Sequence, residues 1–326
     1  MEVEGGCPPQ RGLPYLPFPG RNGPGEVSPG APDARVEPVA RAVSVVVPAY
    51  NEEHGIRPVL EALLATLGAL PAVTYEVIVV DDGSTDGTSD AARGMPGVTV
   101  VRHDSNRGYG AALKTGLRHA RHEWICITDA DGTYPNERIG DLLAATDGAH
   151  MVVGARTAPG VQDTWLRRLP RTLLRHYAEW VTRCRIDDMN SGLRVFRKDL
   201  AERFIHLLPD GFSFTTTITI ALIMSYFTVR YVPIGYARRV GKSKIHPVGD
   251  TLRFLVLILR TGMYFAPLRT LVPPTVVLFL LFVASAGYDV FYLHDMTEKT
   301  LILLVLSVNA GTLALVADMI HKRGTA

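Results

Sequence analysis

Between positions 41 and 237, short continuous apolar runs alternate with segments whose apolar residues have helical spacing. The first run, in "VSVVVPAYNEE", precedes a segment that places Leu60, Leu63, Leu64 and Leu67 on one helical face. The run in "EVIVVDDGSTDGT" repeats this order, and "GVTVVRH", "GAALKTGLRHA" and "WICITDAD" continue it. Solid apolar strands that alternate with helices are typical of a mostly parallel sheet with helices on both faces. The pattern therefore predicts an α/β, Rossmann-like fold.

Polar clusters follow three of the predicted strands. They are Tyr50, Asn51 and Glu52; Asp81 and Asp82; and Asp129 and Asp131. In parallel sheets, ligands bind outside the carboxyl ends of the strands. Three clusters on one edge predict a ligand site, and a nucleotide is the favoured class of ligand. The "GYG" at 108–110 lacks the full GxGxxG, and no GxxxxGK[ST] occurs, which argues against dinucleotide-type and P-loop sites.

Two explanations fit the acids in "TDADGTYP". Asp side chains bond their own backbone, so these acids are compatible with an ordinary turn at a strand end. Alternatively, residues i and i+2 of an extended segment point the same way, so Asp129 and Asp131 would converge on one cation. The local sequence leaves both explanations open.

The carboxyl-terminal region contains two long apolar stretches, residues 271–293 and 301–317. Each is near the ~20 residues that cross a bilayer, although buried core helices are an alternative. The flanks of the pair are basic, with Arg260, Arg269, His321, Lys322 and Arg323. Basic flanks face the cytoplasm, which places the catalytic region and both termini there.

The composition narrows the classes of ligand and metal site that the protein could have. A net charge of +2 gives no general field for nucleic acid. Three cysteines without CxxC spacing and ten histidines without an HExxH pair argue against a zinc site, so a metal would have oxygen ligands. Residues 1–40 are crowded with Pro and Gly and contain no apolar run, which predicts a disordered tail.

Four motifs carry a resemblance to a known family. In this order, "VVVPAYNEE", "EVIVVDDGSTDGT", "NRGYGAALKTG" and "TDADGTYP" resemble family 2 glycosyltransferases of the GT-A fold. The segments "DDMNSGLRVFRK" and "RRVGKSKIHPVGDTLRF", followed by a membrane hairpin, are similar to polyprenyl-phosphate glycosyltransferases such as dolichol-phosphate mannosyltransferases. The resemblance covers about residues 43–265.

The resemblance implies a donor site at the predicted sheet edge. Pro48, Tyr50 and Glu52 would line the nucleoside pocket, and Asp82 would hold the base or ribose. Asp129 and Asp131 would carry Mg²⁺ or Mn²⁺ on the donor diphosphate, with Asp131 counted among the catalytic residues. Hard divalent cations prefer such oxygen ligands. Where relatives often have Gln, this chain has Thr133, which leaves a third protein ligand in doubt.

The lack of an acid in one segment bears on the chemical nature of the acceptor. Many family members have an acid in the region that corresponds to residues 212–223, but this chain has none there. Either the protein is inactive, or its acceptor is already an anion, since a phosphate monoester has a second pKa of about 6 and needs no base. The residues predicted to surround a lipid phosphate are Arg156, Ser191, Arg194, Arg239, Lys242, Ser243 and Lys244, with Arg194 and Lys244 as catalytic residues.

Three points stay open in this acceptor region. Either Arg238 or Arg239 corresponds to the family arginine, and "RRVGKSK" is also compatible with contact to anionic headgroups alone. An acidic loop is the favoured interpretation of Asp187 and Asp188, and the alternative is that Asp188 orients the acceptor or a ligating arginine. "DTLRFLVLILRTGMYF" predicts an interfacial helix that presents the lipid.

Together these features predict an inverting hexosyltransferase that moves mannose, or next glucose, from GDP-mannose or UDP-glucose to dolichyl or undecaprenyl phosphate. The expected division is a tail at 1–40, a GT-A domain at 41–237, a basic loop and interfacial helix at 238–268, a hairpin at 269–320 and a tail at 321–326. The membrane would be the plasma membrane in a bacterium or the endoplasmic reticulum in a eukaryote. A homo-oligomer is compatible with this prediction. The rival hypotheses are a hydroxyl-directed transferase and a nucleotide-sugar-binding pseudoenzyme subunit.

Overall fold

The computed structural model describes residues 41–156, 165–211, 213–236, 256 and 259–324. Only the backbone is described for residues 165–171, 173–174 and 323–324. The predicted disordered tail at 1–40 and most of the predicted basic loop lie outside these ranges.

A seven-stranded sheet forms the centre of the protein, with the order β3-β2-β1-β4-β6-β5-β7. Only β6 runs antiparallel to its neighbours, β4 and β5, and the other pairs are parallel. The prediction of a mostly parallel sheet is therefore confirmed. The strands are β1 Arg41–Ala49, β2 Val73–Asp81, β3 Val98–Arg102, β4 Trp124–Ile127, β5 Met151–Ala155, β6 Arg194–Arg197 and β7 Val229–Pro233.

Helices cover both faces of the sheet. They are α1 Ile56–Gly68, α2 Thr88–Arg93, α3 Tyr109–His119, α4 Ile139–Ala144, α5 Trp165–Thr182, α6 Lys198–Arg203 and α7 Phe214–Met224, with a 3₁₀ turn at Asn136–Arg138. Successive strand residues point to opposite faces, so Val45 packs in the core beneath α1 and α4, while Val46 packs beneath α3 and α7. Burial of both faces explains why the strands are apolar without alternation.

Strand β1 continues through Pro48 to Ala49 rather than breaking at the proline. Neighbouring β4 pairs with β1 only as far as Val46, and Thr128 N donates to Val46 O beyond that point. Backbone groups of alternate residues face alternate neighbours, so the nitrogen of Pro48 faces the side where β4 has already ended. The missing N–H therefore removes no ladder hydrogen bond, although proline lacks the donor.

Two carboxyl-terminal helices are long and apolar enough to cross a membrane. Helix α8 is described over 259–265, α9 spans Pro267–Tyr288 and continues as a π-helical turn at Asp289–Leu293, and α10 spans Glu298–Gly324. The apolar spans Pro267–Leu293 and Glu298–Lys322 have mean hydropathies of 2.0 and 2.2, with 6% and 17% of each most apolar window buried. This low burial within the protein favours membrane helices over core helices.

Asp289, the single acid in the first apolar stretch, fixes the turn of the hairpin. Its Oδ2 accepts hydrogen bonds from Thr297 N at 2.8 Å, the Thr297 hydroxyl at 2.5 Å and the Thr300 hydroxyl at 2.7 Å. Lys299 Nζ lies 3.6 Å from its other oxygen. The carboxylate therefore caps the beginning of α10, where unsatisfied N–H groups and the helix dipole favour an anion.

The base of the hairpin is attached to α5. Arg269, in the first turn of α9, donates through Nη1 to Val181 O at 2.9 Å. Gly262 of α8 lies in the same junction, where a Cβ would be 3.4 Å from Tyr177 Oη and 2.8 Å from Thr270 Oγ1. The carboxyl end of α5 is thus placed beside the beginning of the first apolar helix.

We expect Gly116→Ala to destabilise the fold. A Cβ at Gly116 of α3 would lie 2.2 Å from Val46 Cγ1 of β1, and overpacking of a core costs about 1–3 kcal/mol. Gly68→Ala is the matched control because its Cβ would meet Tyr75 Oη at an ordinary 3.7 Å. Thermal unfolding of the detergent-solubilised full chain measures both, and equal melting temperatures for the two variants would contradict the close packing of α3 on β1.

Candidate functional site

The loops after β1 and β2 are fastened to each other at the carboxyl edge of the sheet. Asn51 has a left-handed backbone, with φ 54°, and its side-chain oxygen accepts from Thr85 N at 2.9 Å. Asn51 N donates to the Ser84 hydroxyl at 3.0 Å, and Glu52 N donates to the Thr88 hydroxyl at 2.9 Å. These bonds hold Glu52 and the half-buried Tyr50 at the edge, next to the buried Pro48.

Asp82 holds the loop that precedes α3. Its Oδ1 accepts from Arg107 N at 2.9 Å and lies 2.7 Å from His103 Nδ1, while its Oδ2 accepts from Gly108 N at 2.8 Å. The residue is only 4% exposed. Both oxygens are therefore engaged within the protein, and contact with a base or ribose stays a prediction. The preceding Asp81 is fully buried and accepts from Ser84 N at 2.9 Å.

The two acids of the "TDADGTYP" motif lie beyond the end of β4 at Ile127, Asp129 just after the strand and Asp131 in the turn that follows. The convergence of the two carboxylates on one cation stays a prediction. Asp129 Oδ1 accepts from the Tyr109 hydroxyl at 3.0 Å, and Asp131 Oδ1 accepts from the Thr133 hydroxyl at 2.7 Å and from Thr133 N at 3.1 Å. Both acids are half-buried at the edge of the sheet.

Asp129 is contacted by residues that the sequence analysis did not identify as site residues. A Cβ at Gly192 would lie 2.8 Å from Asp129 Oδ2, so the absence of a side chain lets that backbone approach the carboxylate. Gly192 N donates to the Tyr134 hydroxyl at 2.7 Å. Burial, with the nearby Asp129 charge, raises the pKa of both Tyr109 and Tyr134. Tyr109 therefore keeps its proton and remains a donor to Asp129. The sequence feature that could have pointed to Tyr109 is its position in the motif "NRGYG".

Arg156 is paired with Asp188. Its Nε donates to Asp188 Oδ2 at 2.7 Å and its Nη2 to Oδ1 at 3.0 Å, while its guanidinium carbon lies 5.2 Å from the ring centroid of Tyr236. Burial acts to raise the pKa of the Asp188 carboxyl, but the hydrogen bonds and charge of Arg156 outweigh it and hold that pKa below its usual value. Asp188 therefore orients an arginine, which was the less favoured of the two interpretations.

The structure does not bring Arg194 or Ser191 to the surface of the site. Arg194 is fully buried; its Nε donates to Ser191 O at 2.9 Å and its Nη1 to Thr215 O and Thr219 Oγ1, each at 2.9 Å. Its Nη2 donates to Ser191 O and to Met189 O. Ser191 is also fully buried. The predicted phosphate contacts and the catalytic role of Arg194 are thus corrected, because all the guanidinium nitrogens are used inside the protein.

Helix α7 contains no acid, as its sequence indicates, and its hydroxyls face inward. Thr215, Thr216, Thr217 and Thr219 are buried. The Thr216 hydroxyl donates to Asn190 Oδ1 at 2.7 Å. The helix therefore supplies packing and fixes residues 189–191, but it provides no carboxylate to take a proton from an acceptor.

The remaining predicted acceptor residues, Arg239, Lys242, Ser243 and Lys244, lie outside the described residues. Within the described ranges, no group of three or more His, Cys, Asp or Glu side chains forms a metal site. The donor set at the edge is two carboxylates, Asp129 and Asp131. Two hard oxygen ligands fit Mg²⁺ or Mn²⁺ where a ligand such as a diphosphate completes the coordination.

Comparison with known proteins places this arrangement in a family. The family model described as Glycosyl transferase family 2 matches residues 44–204. The chain is 31% identical over 239 residues to polyprenol monophosphomannose synthase of Mycolicibacterium smegmatis, covering 68% of this chain and 88% of that protein. The chain belongs to glycosyltransferase family 2. The matched residues contain most of β1 and all of the strands from β2 to β6.

Two further relatives differ in the fraction of their length that aligns with this chain. Dolichyl-phosphate beta-glucosyltransferase of Homo sapiens is 31% identical over 251 residues, which cover 68% of this chain and 77% of the relative. Undecaprenyl-phosphate 4-deoxy-4-formamido-L-arabinose transferase of Serratia proteamaculans is 32% identical over 198 residues, with 56% of this chain and 60% of the relative covered. Across several formamido-arabinose transferases the chain spans only 51% to 60% of their length.

A solved structure supports the assignment of the fold. Glucosyl-3-phosphoglycerate synthase from Mycobacterium tuberculosis, crystallised with Mn²⁺, uridine diphosphate and glucosyl-3-phosphoglycerate, matches with a TM-score of 0.53 and 20% identity. The match covers 68% of this chain and 80% of that one. At this identity the likeness supports the GT-A fold alone.

We expect Asp188→Asn to destabilise the protein by about 1–3 kcal/mol, because it leaves the Arg156 guanidinium without its charged acceptor. The neighbouring Asp187→Asn is the control, since Asp187 pairs with the exposed Arg185, and exposed pairs contribute about 0–1 kcal/mol. Denaturant unfolding of the detergent-solubilised chain measures both variants. Equal losses would contradict a specific role for the Arg156–Asp188 pair.

The pH dependence has a defined sign. Since the folded pKa of Asp188 lies below its unfolded value of about 3.9, its contribution is present above that value and is lost as the pH falls through the folded pKa. The difference in stability between the wild type and Asp188→Asn should therefore shrink at strongly acidic pH. A difference that grows on acidification would contradict this assignment.

Proposed function

We propose that this protein is an inverting hexosyltransferase that moves mannose, or next glucose, from a nucleotide-sugar to a polyprenyl phosphate. The carrying observation is a pair of half-buried carboxylates, Asp129 and Asp131, at the edge of a GT-A sheet, on a chain with two helices of membrane-crossing length. Relatives named for mannosyl and glucosyl transfer to polyprenyl or dolichyl phosphate support the substrate class.

On this proposal Asp129 and Asp131 hold Mg²⁺ or Mn²⁺ against the donor diphosphate. When bound, the cation neutralises charge that builds up on the leaving nucleoside diphosphate. Tyr109 and Thr133 orient the two carboxylates by the hydrogen bonds that they donate. Tyr50 and Glu52 line the nucleoside side of the site with Pro48 behind them, and Asp82 contributes by fixing the backbone at 107–108.

The acceptor phosphate is proposed to lie near Arg156, the basic residues Arg239, Lys242 and Lys244, and the hydroxyl of Ser243. Arginine forks and ammonium groups complement phosphate oxygens. A phosphate that is already ionised attacks without a general base, which fits the absence of an acid on α7. The lipid oxygen would attack the anomeric carbon from the face opposite the nucleotide and invert its configuration.

Membrane attachment is proposed to hold the catalytic domain, residues 41–237, on the cytoplasmic face. The described residues of the interfacial segment expose apolar side chains at helical spacing: Val256 is 57% exposed, Leu259 is 36% exposed and Met263 is 44% exposed. Phe265, in the same helix, packs on Phe204 with ring centroids 6.1 Å apart. This amphipathic arrangement suits a helix that lies on the bilayer.

The first test is a donor screen with the purified full chain, Mn²⁺ or Mg²⁺, undecaprenyl or dolichyl phosphate, and either GDP-mannose or UDP-glucose. We expect radiolabel in the lipid phase from one donor. Asp129→Asn and Asp131→Asn should each lower kcat/KM by at least about 100-fold, on the order of the loss of one charge-stabilising group. Asp199→Asn, an exposed acid at the opposite edge of the sheet, should leave transfer unchanged.

The outcomes separate the rival hypotheses. Nucleotide-sugar binding without transfer to any lipid phosphate would favour a binding subunit. Transfer to a sugar hydroxyl, with lipid phosphate inert, would favour a hydroxyl-directed enzyme. Transfer that survives in both Asp variants would contradict the proposed metal site.

The orientation has a separate test. With an epitope inserted after Asp295, in the turn between α9 and α10, an antibody outside intact cells or spheroplasts should reach the tag, whereas a carboxyl-terminal tag should be reached only after permeabilisation. The basic flanks outside the hairpin give this expectation. Access to the carboxyl-terminal tag alone would reverse the proposed orientation.

A further inference from the structure

A cavity of about 560 Å³ opens at the carboxyl end of α5, and none of the candidate donor or acceptor residues within the described ranges lines it. Its lining residues are Arg175, Glu179, Arg183, Cys184, Arg185 and Ile186. Three arginines and one glutamate give the wall a net positive formal charge. Such a wall favours an anionic ligand, and arginine forks match phosphate oxygens in particular.

The charge of the wall is only partly neutralised by the protein. Glu179 accepts from Ile186 N at 3.1 Å and lies 3.3 Å from His176 and 3.9 Å from Arg175. Arg185 pairs with Asp187 at 2.9 Å but its side chain is 84% exposed. Arg183 is exposed, and no carboxylate in the described part of the chain pairs with it. The cavity therefore presents two accessible guanidinium groups, those of Arg183 and Arg185.

The position of the cavity indicates the source of the anion. Val181, two residues before Arg183, accepts a hydrogen bond from Arg269 in the first turn of α9. The first apolar span begins at Pro267. The mouth of the cavity is thus tied to the point where the chain enters the apolar span, the depth at which lipid headgroups lie.

We propose that this cavity binds the phosphate of an anionic membrane lipid headgroup, through Arg183 and Arg185 with Arg175 at its side. Arg156, the described residue of the proposed acceptor site, does not line the cavity, and the proposal does not rest on the transfer reaction. Bound headgroup would brace residues 183–186 directly before Asp188, which holds Arg156. An anionic leaflet would thereby stabilise the segment that shapes the glycosyltransferase site.

The test measures phosphatidylglycerol binding by native mass spectrometry to the delipidated full chain in neutral detergent, without nucleotide-sugar, metal or polyprenyl phosphate. At about fivefold in affinity per arginine near an anionic lipid, Arg183→Gln with Arg185→Gln should weaken binding by more than about tenfold. Phosphatidylcholine should bind neither protein. Arg183→Lys with Arg185→Lys should keep much of the affinity, which excludes simple misfolding as the cause.

The matched control removes the same charge elsewhere. Arg57→Gln with Arg93→Gln changes two arginines on α1 and α2, whose side chains are 62% and 54% exposed, and should leave lipid binding unchanged. Unchanged binding in the Arg183/Arg185 glutamine variant, or an equal loss in the control, would overturn the proposal. Inorganic phosphate forms the second arm: binding as tight as that of the lipid would overturn the lipid source.

Discussion

The negative charge of the acids at the carboxyl edge of the sheet is stabilised by hydrogen bonds and ion pairs, and the arrangement of the site depends on these contacts. Asp82 accepts hydrogen bonds from two backbone N–H groups, Asp129 accepts one from a phenol hydroxyl, and Asp188 accepts them from a guanidinium. A buried carboxylate without such partners is costly. Each loop at the edge is therefore fixed by the carboxylate that it supplies or satisfies, and the carboxylates available for a cation are held in place before any ligand arrives.

A buried cation organises the other wall of the site. Arg194 has no carboxylate among its hydrogen-bond acceptors; it is solvated by the carbonyl oxygens of residues 189, 191 and 215 and by the Thr219 hydroxyl. These contacts join β6, the segment before it and α7 into one unit. Because the same segment carries Asp188 and Gly192, the position of Arg194 determines how closely that backbone approaches Asp129 and where Arg156 is held.

The pair of membrane-length helices depends on polar contacts at its two ends. Asp289 caps α10 at the turn, and Arg269 links the first turn of α9 to α5. Between these ends the outer faces of both helices are apolar and exposed, including Phe279, Leu280 and Leu313. Hydrogen bonds at the ends therefore set the geometry of the pair, while the long apolar surfaces suit a lipid environment.

The sequence by itself determined the first four strands and the helices between them, the two membrane-length helices and the family, because apolar periodicity and the four motifs are local properties of the chain. It also predicted that Asp129 and Asp131 lie at the sheet edge, since a buried strand ends just before them. It did not reveal that Arg194 is buried, because an arginine in "NSGLR" has the same letters whether its guanidinium faces a phosphate or backbone carbonyls.

Tertiary structure decided the partners of the charged groups. Arg156 and Asp188 are 32 positions apart, and Tyr109 and Asp129 are 20 apart, so nothing local to either residue specifies the pair. The direction of each side chain follows from strand order and loop packing, as in the close approach of Gly192 to Asp129. Sequence patterns fix which residues are buried along one element, whereas the compensation of a charge depends on which other elements fold against it.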